Sequence, residues 1–424
     1  MLYLAQGFPQ GVVFYALPTW LAVNGQSAAA IGTVASAVLL PWSFKFLMGG
    51  FVDRYAYLAM GRRRGWLVGA QFAIVAVFVI FAAIQPDPSA TIVIAGLAFA
   101  LSSATAIQDI ALDALVIDLT PEDELGRLNS FMFAGKLLGI AGGTAFTAIL
   151  IENYSIRVAM VGSLIFFMIP AIAALLIRER PGEKLLPWTS GAASAESLAA
   201  SPDAWIPLLK AAFASMLRRD VLVVLALMMT YGFHQQVYDN SMALFAANIM
   251  DWGETRYSSL IAMVNVVSAG LCLTLAGWLV DRFGPKTIAL ASGLAGAGVI
   301  AILIVTKDIW GNDSLFTAWY VATTLIILLF YLAMLVLAMR VTDQAAAAIN
   351  FNILMAGFAM GGTIAGASLG FIDAWGGLEA LIGVAAAMLA VSASCAIFLT
   401  HALGPVAEIG RERGHEEVPV AALP

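Results

Sequence analysis

From Leu2 onward the sequence returns repeatedly to stretches of about twenty mostly apolar residues, the length a helix needs to cross the hydrocarbon core of a bilayer. Twelve such stretches fall at 2–23, 30–52, 66–84, 91–117, 126–150, 156–177, 221–246, 256–280, 286–306, 315–339, 345–372 and 378–402. A water-soluble chain has no place for them. Of 424 residues, 61% are hydrophobic and only 11% charged, against about 25% charged in an ordinary globular domain. In lipid every backbone polar group must be satisfied within the segment, which leaves helices as the form for such runs. The predicted fold class is an all-α membrane protein with twelve transmembrane helices in two six-helix bundles.

The boundaries follow from polar composition. Residues 1–177 form the expected N-terminal bundle, 178–220 a cytoplasmic linker, 221–402 the C-terminal bundle and 403–424 a cytoplasmic tail. In the linker, Trp205, Ile206, Leu208, Leu209, Phe213, Met216 and Leu217 recur at helical spacing, with Lys210, Arg218 and Arg219 elsewhere. This reads either as an amphipathic helix on the membrane surface or as a plain linker helix. Arg54, Arg62, Arg63, Arg64, Arg178, Arg180, Lys184, Lys210, Arg218, Arg219, Arg282, Lys286, Arg411 and Arg413 all fall on one side of a twelve-span chain. The other side holds Arg157, Arg256 and Lys307, so both termini are expected in the cytoplasm. Met1 opens into an apolar run without a basic lead, so the first span is expected to remain in the mature chain, with a start upstream of Met1 left open. Trp20, Trp66, Trp252 and Trp310 lie near span ends, where interfacial anchoring is expected. Cys272 and Cys395 sit within apolar runs and read as small fillers. The basic residues form no broad stripe, which argues against nucleic acid as a partner.

The halves repeat. Gly49-Gly50-Phe51-Val52-Asp53-Arg54-Tyr55 leaves span two, and Gly277-Trp278-Leu279-Val280-Asp281-Arg282-Phe283-Gly284-Pro285-Lys286 leaves span eight. Gly135, Gly139 and Gly143 in span five answer Gly362, Gly366 and Gly370 in span eleven. Small residues four apart let helices approach closely in lipid, and a duplicated six-helix unit places a site between the copies.

The loop after span eight resembles the signature of the major facilitator superfamily over the whole chain. The first copy carries an insertion ending Gly61-Arg62-Arg63-Arg64-Gly65-Trp66. With Leu40-Pro41-Trp42-Ser43-Phe44-Lys45-Phe46-Leu47, Gln108-Asp109-Ile110-Ala111-Leu112-Asp113-Ala114 and Gly135-Lys136-Leu137-Leu138-Gly139, it resembles the AmpG-like branch, mainly over residues 1–150. That branch includes muropeptide permeases, acetyl-CoA transporter relatives and similar siderophore importers of the RhtX/FptX type. The resemblance implies alternating access in a bacterial inner membrane. Where the muropeptide pattern has a lysine and aspartate pair in span seven, this chain has His234-Gln235-Gln236-Val237-Tyr238-Asp239-Asn240. Span eleven reads Ile349-Asn350-Phe351-Asn352 in place of a threonine-glutamine-tyrosine run. The substrate is therefore open between a muropeptide, a siderophore and another organic anion.

Charges inside hydrocarbon cost several kcal/mol, so each calls for a reason. Asp109 and Asp113 share one face of span four, where two carboxylates do not both ionise readily; proton coupling and simple pairing with Lys45 or Lys136 are the two readings. Asp239 is the third candidate proton-coupling acid. Lys45 and Lys136 lie too deep to snorkel and are expected to bind an anionic substrate group or each other's acids. His234, Gln235 and Tyr238, together with Gln6 and Gln10 beside Tyr3 in span one, are candidate substrate contacts, with Asn350 and Asn352 weaker ones. Asp53, Arg54, Arg62, Asp281, Arg282 and Arg340 sit at span ends as a candidate gating cluster.

The expected activity is proton-coupled import of a bulky polar or anionic solute, driven by the proton gradient without a cofactor, by a monomer in the bilayer. An enzyme would need a metal cluster or a nucleophile with its base, and His234, His401 and His415 lie far apart without such a pattern. A transport-dead receptor on the same scaffold is the remaining alternative.

Overall fold

The computed structural model describes residues 2–119, 125–176, 178–199, 216–342 and 347–399. These residues are helical nearly throughout, without a strand among them, and the long helices group into twelve successive elements. α1 covers 2–23 and α2 covers 28–54, the latter as Ala28–Ser43 and Lys45–Arg54. Then come α3 (Arg64–Ile84), α4 (Thr91–Leu119), α5 (Leu125–Asn153) and α6 (Ile156–Leu176). In the second half are α7 (Arg219–Asn248), α8 (254–283), α9 (Pro285–Val305) and α10 (Asp313–Val341). Ala347–Cys395 holds two helices, α11 and α12, divided where Gly376 and Gly377 leave helical geometry; Gly377 turns with φ +64°, a conformation glycine adopts without steric cost.

α3 to α7, α9 and α10 are each long and apolar enough to cross a membrane, as is the run holding α11 and α12. α8 joins them when its two arms, bent by 43° at Cys272–Ala276, are taken together. α1 and α2 reach spanning length only across interruptions. In α1 a wider turn at Val12–Ala16 precedes Pro18, which has no N–H for the helix ladder; in α2, Pro41 precedes a break at Phe44.

α1 packs on α5, α2 on α4, and α3 on α4 and α6; α7 packs on α11 and α12, and α9 on α10 and α12. Across the middle, α2 meets α11, α5 meets α8, and α1 meets α7. Glycine sets several of these contacts. A Cβ at Gly139 or Gly143 would collide with the Leu4 or Phe8 carbonyl of α1, and one at Gly7 or Gly11 with the Lys136 or Ile140 carbonyl of α5. Gly32 and Gly366 bring α2 against α11, where Ser36 Oγ donates to the Thr363 carbonyl at 2.9 Å. The expected small-residue faces of spans five and eleven are thus used at backbone-to-backbone range.

The halves also meet through the loops at one end. Glu152, near the end of α5, accepts from the Thr255 N–H at the start of α8 at 2.5 Å, and Asn24 Nδ2 reaches Glu254 at 3.5 Å. At the opposite end, Glu179 accepts the backbone N–H groups of Arg62, Arg63 and Arg64 at 2.9–3.0 Å. The Arg64 guanidinium in turn donates to the Ala174, Leu175 and Lys184 carbonyls. The inserted loop between α2 and α3 and the start of the linker are therefore one bonded unit. Glu183 continues it, accepting from Ser194 and Ser197 beside the short helix Ala195–Ala199.

Trp20 and Trp252 are not interfacial anchors, since both are buried. Trp252 Nε1 donates to Asp313 at 2.8 Å and its ring packs on Phe316, so a local partner outcompetes the interface. The expected linker helix falls largely on 200–215 and the tail on 400–424, outside the described residues.

The glycine packing gives a direct test. Gly139→Leu is expected to disrupt the α1–α5 contact by more than the about 1–3 kcal/mol typical of overpacking, because it meets backbone. Gly142→Leu, which points into open space, is expected to behave as wild type. Thermal unfolding in detergent and size-exclusion profiles compare the two.

Candidate functional site

Four helices of the first half bring their buried polar residues together. The spacing of four places Asp109 and Asp113 on one face of α4, and Lys45 from α2 reaches both: it pairs closely with Asp109 and lies 3.5 Å from Asp113. Lys136 from α5 approaches Asp109 at 3.5 Å. From α1, Gln6 donates to Asp109, and the Tyr3 hydroxyl donates to Asp113 at 2.6 Å. The two acids are unequal. Asp109 is 5% exposed with three side chains converging on it, whereas Asp113 keeps 43% of its side-chain surface open. Trp42 lies between the cations, its ring centroid 5.7 Å from Lys45 Nζ and 5.6 Å from Lys136 Nζ. Its indole N–H donates to Ser102, which donates to the Val38 carbonyl, so the ring is held from behind.

The second half presents a different surface. On α7, the rings of Tyr231, His234 and Tyr238 follow one another, the first pair tilted at 5.6 Å and the second stacked at 5.7 Å. His234 is buried and its Nδ1 lies 2.7 Å from the Ala385 carbonyl of α12, which ties the ring to the scaffold. Tyr238 stacks on Tyr320 of α10 at 6.3 Å and 14°, and Tyr257 of α8 meets Tyr320 edge-on at 5.9 Å. Asp239 is partly exposed beside this aromatic wall. Gln235, one turn before it, lies within hydrogen-bonding reach, and none of the described cations pairs with it.

The remaining predicted residues take varied places. Gln10 is buried in α1, and Asn350 is buried and engaged in α11. Asn352 is partly exposed. Of the expected gating cluster, Arg54, Asp281 and Arg282 are exposed at the ends of α2 and α8, Arg62 donates its backbone N–H to Glu179, and Arg340 closes α10 with a partner of its own. The side chain of Asp53 lies outside the described residues. The sequence reading missed Tyr231, Tyr257, Tyr320 and the role of Trp42. Tyr231 and Tyr238 are seven apart on one helical face, a signal that was available; Tyr257 and Tyr320 stand singly in apolar runs and carried none.

Two helical halves, the first built around a cluster of paired charges, define a multi-pass membrane transporter. Residues 1–351 match the family model of the Major Facilitator Superfamily, and the chain belongs to that family. It is 33% identical over 138 residues to an uncharacterized protein of Haemophilus influenzae, covering 31% of this chain and 32% of that one. It is 29% identical over 187 residues to the anhydromuropeptide permease of Escherichia coli strain K12, covering 44% and 37%. It is 27% identical over 179 residues to putative transporter AmpG 1 of Rickettsia conorii, covering 41% and 42%. The matches thus span well under half the length of these curated relatives. Among solved structures, a D-xylose–proton symporter superposes with a TM-score of 0.66 at 15% identity. A POT family transporter in complex with a thioalcohol-conjugated peptide does so with 0.64 at 14% identity. Each covers 93% of this chain and 94% of the other, which establishes the shared fold.

Removing one partner of a buried pair leaves an uncompensated charge, at a cost of about 3–5 kcal/mol. Lys45→Met is therefore expected to lower the thermal midpoint sharply, and Lys45→Met combined with Asp109→Asn to recover most of it. Independent, additive losses in detergent melts would show that the two side chains do not depend on each other.

Proposed function

We propose that the chain is a proton-coupled importer of a bulky polar or anionic, muropeptide-like solute across a bacterial inner membrane, working by alternating access with both termini in the cytoplasm. The observation that carries this reading is the cluster of Lys45, Lys136, Asp109 and Asp113, whose lysines stand on α2 and α5, two helices that meet the second half. With both acids ionised, two cations face two anions and the cluster is neutral. A proton on Asp113, the more open acid, leaves one positive charge in excess. A substrate carboxylate against Lys136 and Lys45 restores neutrality, so proton and anion together make the cheapest load to carry through a low-dielectric barrier. Asp109, held by three side chains, keeps the lysines in place. The likeness of 44% of the chain to the anhydromuropeptide permease supports the substrate class.

By the distribution of basic residues, the end where Glu152 and Asn24 join the halves faces the periplasm. Arg54, Arg62, Asp281, Arg282 and Arg340 then lie at the inner surface, where they close the gate in one state of the cycle.

Purified protein in liposomes tests the coupling. Asp113→Asn is expected to abolish accumulation of an anhydromuropeptide driven by an inward proton gradient while retaining counterflow. Asp109→Asn is expected to reduce both about tenfold or more, corresponding to about 1.4 kcal/mol of lost interaction. Gradient-driven accumulation at wild-type level in both variants would reject coupling through this cluster.

A further inference from the structure

The two halves differ in charge in a way the proposed cargo must answer. The first half holds two lysines and two acids; the second holds Asp239 without a cation on it among the described residues. An isolated carboxylate at this depth calls for a proton or for a compensating positive charge, and its surroundings decide between them. Its surroundings are aromatic. Tyr231 and Tyr238 of α7, Tyr257 of α8, Tyr320 of α10 and Tyr15 of α1 all lie within electrostatic reach of it. They are packed as a wall by the stacking of Tyr238 on Tyr320 and the edge contact of Tyr257. The tyrosines other than Tyr15 are nearly fully buried, whereas Asp239 keeps part of its surface open. Beside it the Gln235 Oε1 acceptor has no partner. A partly open carboxylate with a spare amide oxygen one turn away, backed by packed tyrosines, is the chemistry that recognises an organic ammonium group.

We infer that Asp239, with the Gln235 amide oxygen beside it, binds a cationic amino group of the substrate, so that the transported solute is amphoteric, its carboxylate at Lys136 and Lys45 and its ammonium at Asp239. The inference rests on the reading of Lys45 and Lys136 as the anion-binding side. α1 supplies the scale, because it runs from one place to the other: Gln6 holds Asp109, and Tyr15, nine residues on, is within electrostatic reach of Asp239 on α7, against which the end of α1 packs. Nine helical residues rise roughly 13 Å. An extended peptide covers that span in about four residues. The two charges of a fitting solute are therefore separated by a short peptide or its equivalent. A free amino acid, with both charges on one carbon, cannot reach both ends. Loading such a solute with one proton leaves every embedded charge paired.

The test uses an anhydromuropeptide bearing a tetrapeptide stem with one free amino group, the same compound N-acetylated, and tetra-alanine in free and N-acetylated forms. Uptake into liposomes and binding in nanodiscs are measured for wild type, Asp239→Asn and Asp239→Glu. Acetylation is expected to weaken binding and uptake about tenfold or more in wild type. Asp239→Asn should handle the free amine as poorly as wild type handles the acetylated one, with no further loss on acetylation, and Asp239→Glu should restore part of the preference. Equal handling of free and acetylated probes by wild type overturns the ammonium site while leaving transport itself standing. So does an Asp239→Asn protein that still discriminates between them. A wild-type protein that neither binds nor moves any of the four probes overturns the site and the proposed substrate class together.

Discussion

A carboxylate placed in hydrocarbon must find a counter-charge, and the pairing of Asp109 with Lys45 is where this chain meets that demand. Most of the first half is arranged around it. α4 contributes the acid, α2 and α5 the lysines, and α1 the glutamine that shares one carboxylate oxygen with Lys136. The break in α2 falls at Phe44, immediately before Lys45. The glycines of α1 and α5 serve the same end, because Gln6 and Lys136 converge on one carboxylate only if the two backbones touch. A residue with a Cβ at Gly7 or Gly139 would hold the helices apart and withdraw the support.

The halves are alike in fold and unlike in chemistry. Both use α7-type or α1-type helices pressed against glycine-rich partners, Gly232 on α11 repeating the role of Gly7 on α5. Yet the first half fills its centre with opposing charges around one indole, and the second with tyrosines around one acid. Duplication fixes the scaffold, where backbone contact allows little variation, and leaves the centre free to diverge.

Much of this was legible in the residues. Length and composition define the spans, and the Gly376–Gly377 break falls in the gap expected between the last two. The four-residue step from Asp109 to Asp113 predicted a shared face, and both acids do reach Lys45. Periodicity places residues around their own helix but does not say which helices become neighbours. Tyr257 and Tyr320 are therefore invisible as site residues until α8 and α10 are packed on α7. Trp20 and Trp252 misled for a related reason: position near a span end predicts the interface only where no partner is nearer, and Asp313 is nearer to Trp252. Glu179 reads in sequence as one acid among linker charges, and its three backbone donors come from a loop more than a hundred positions upstream.

That carboxylate changes how the connection between the bundles should be pictured. On paper the tether starts where α6 ends. In three dimensions its opening stretch is riveted to the α2–α3 loop by Glu179, Arg64 and Glu183 and travels with the first bundle as cargo. Counted this way, the first bundle extends through Ser197, and the joint between the bundles is shorter than the residue numbers suggest.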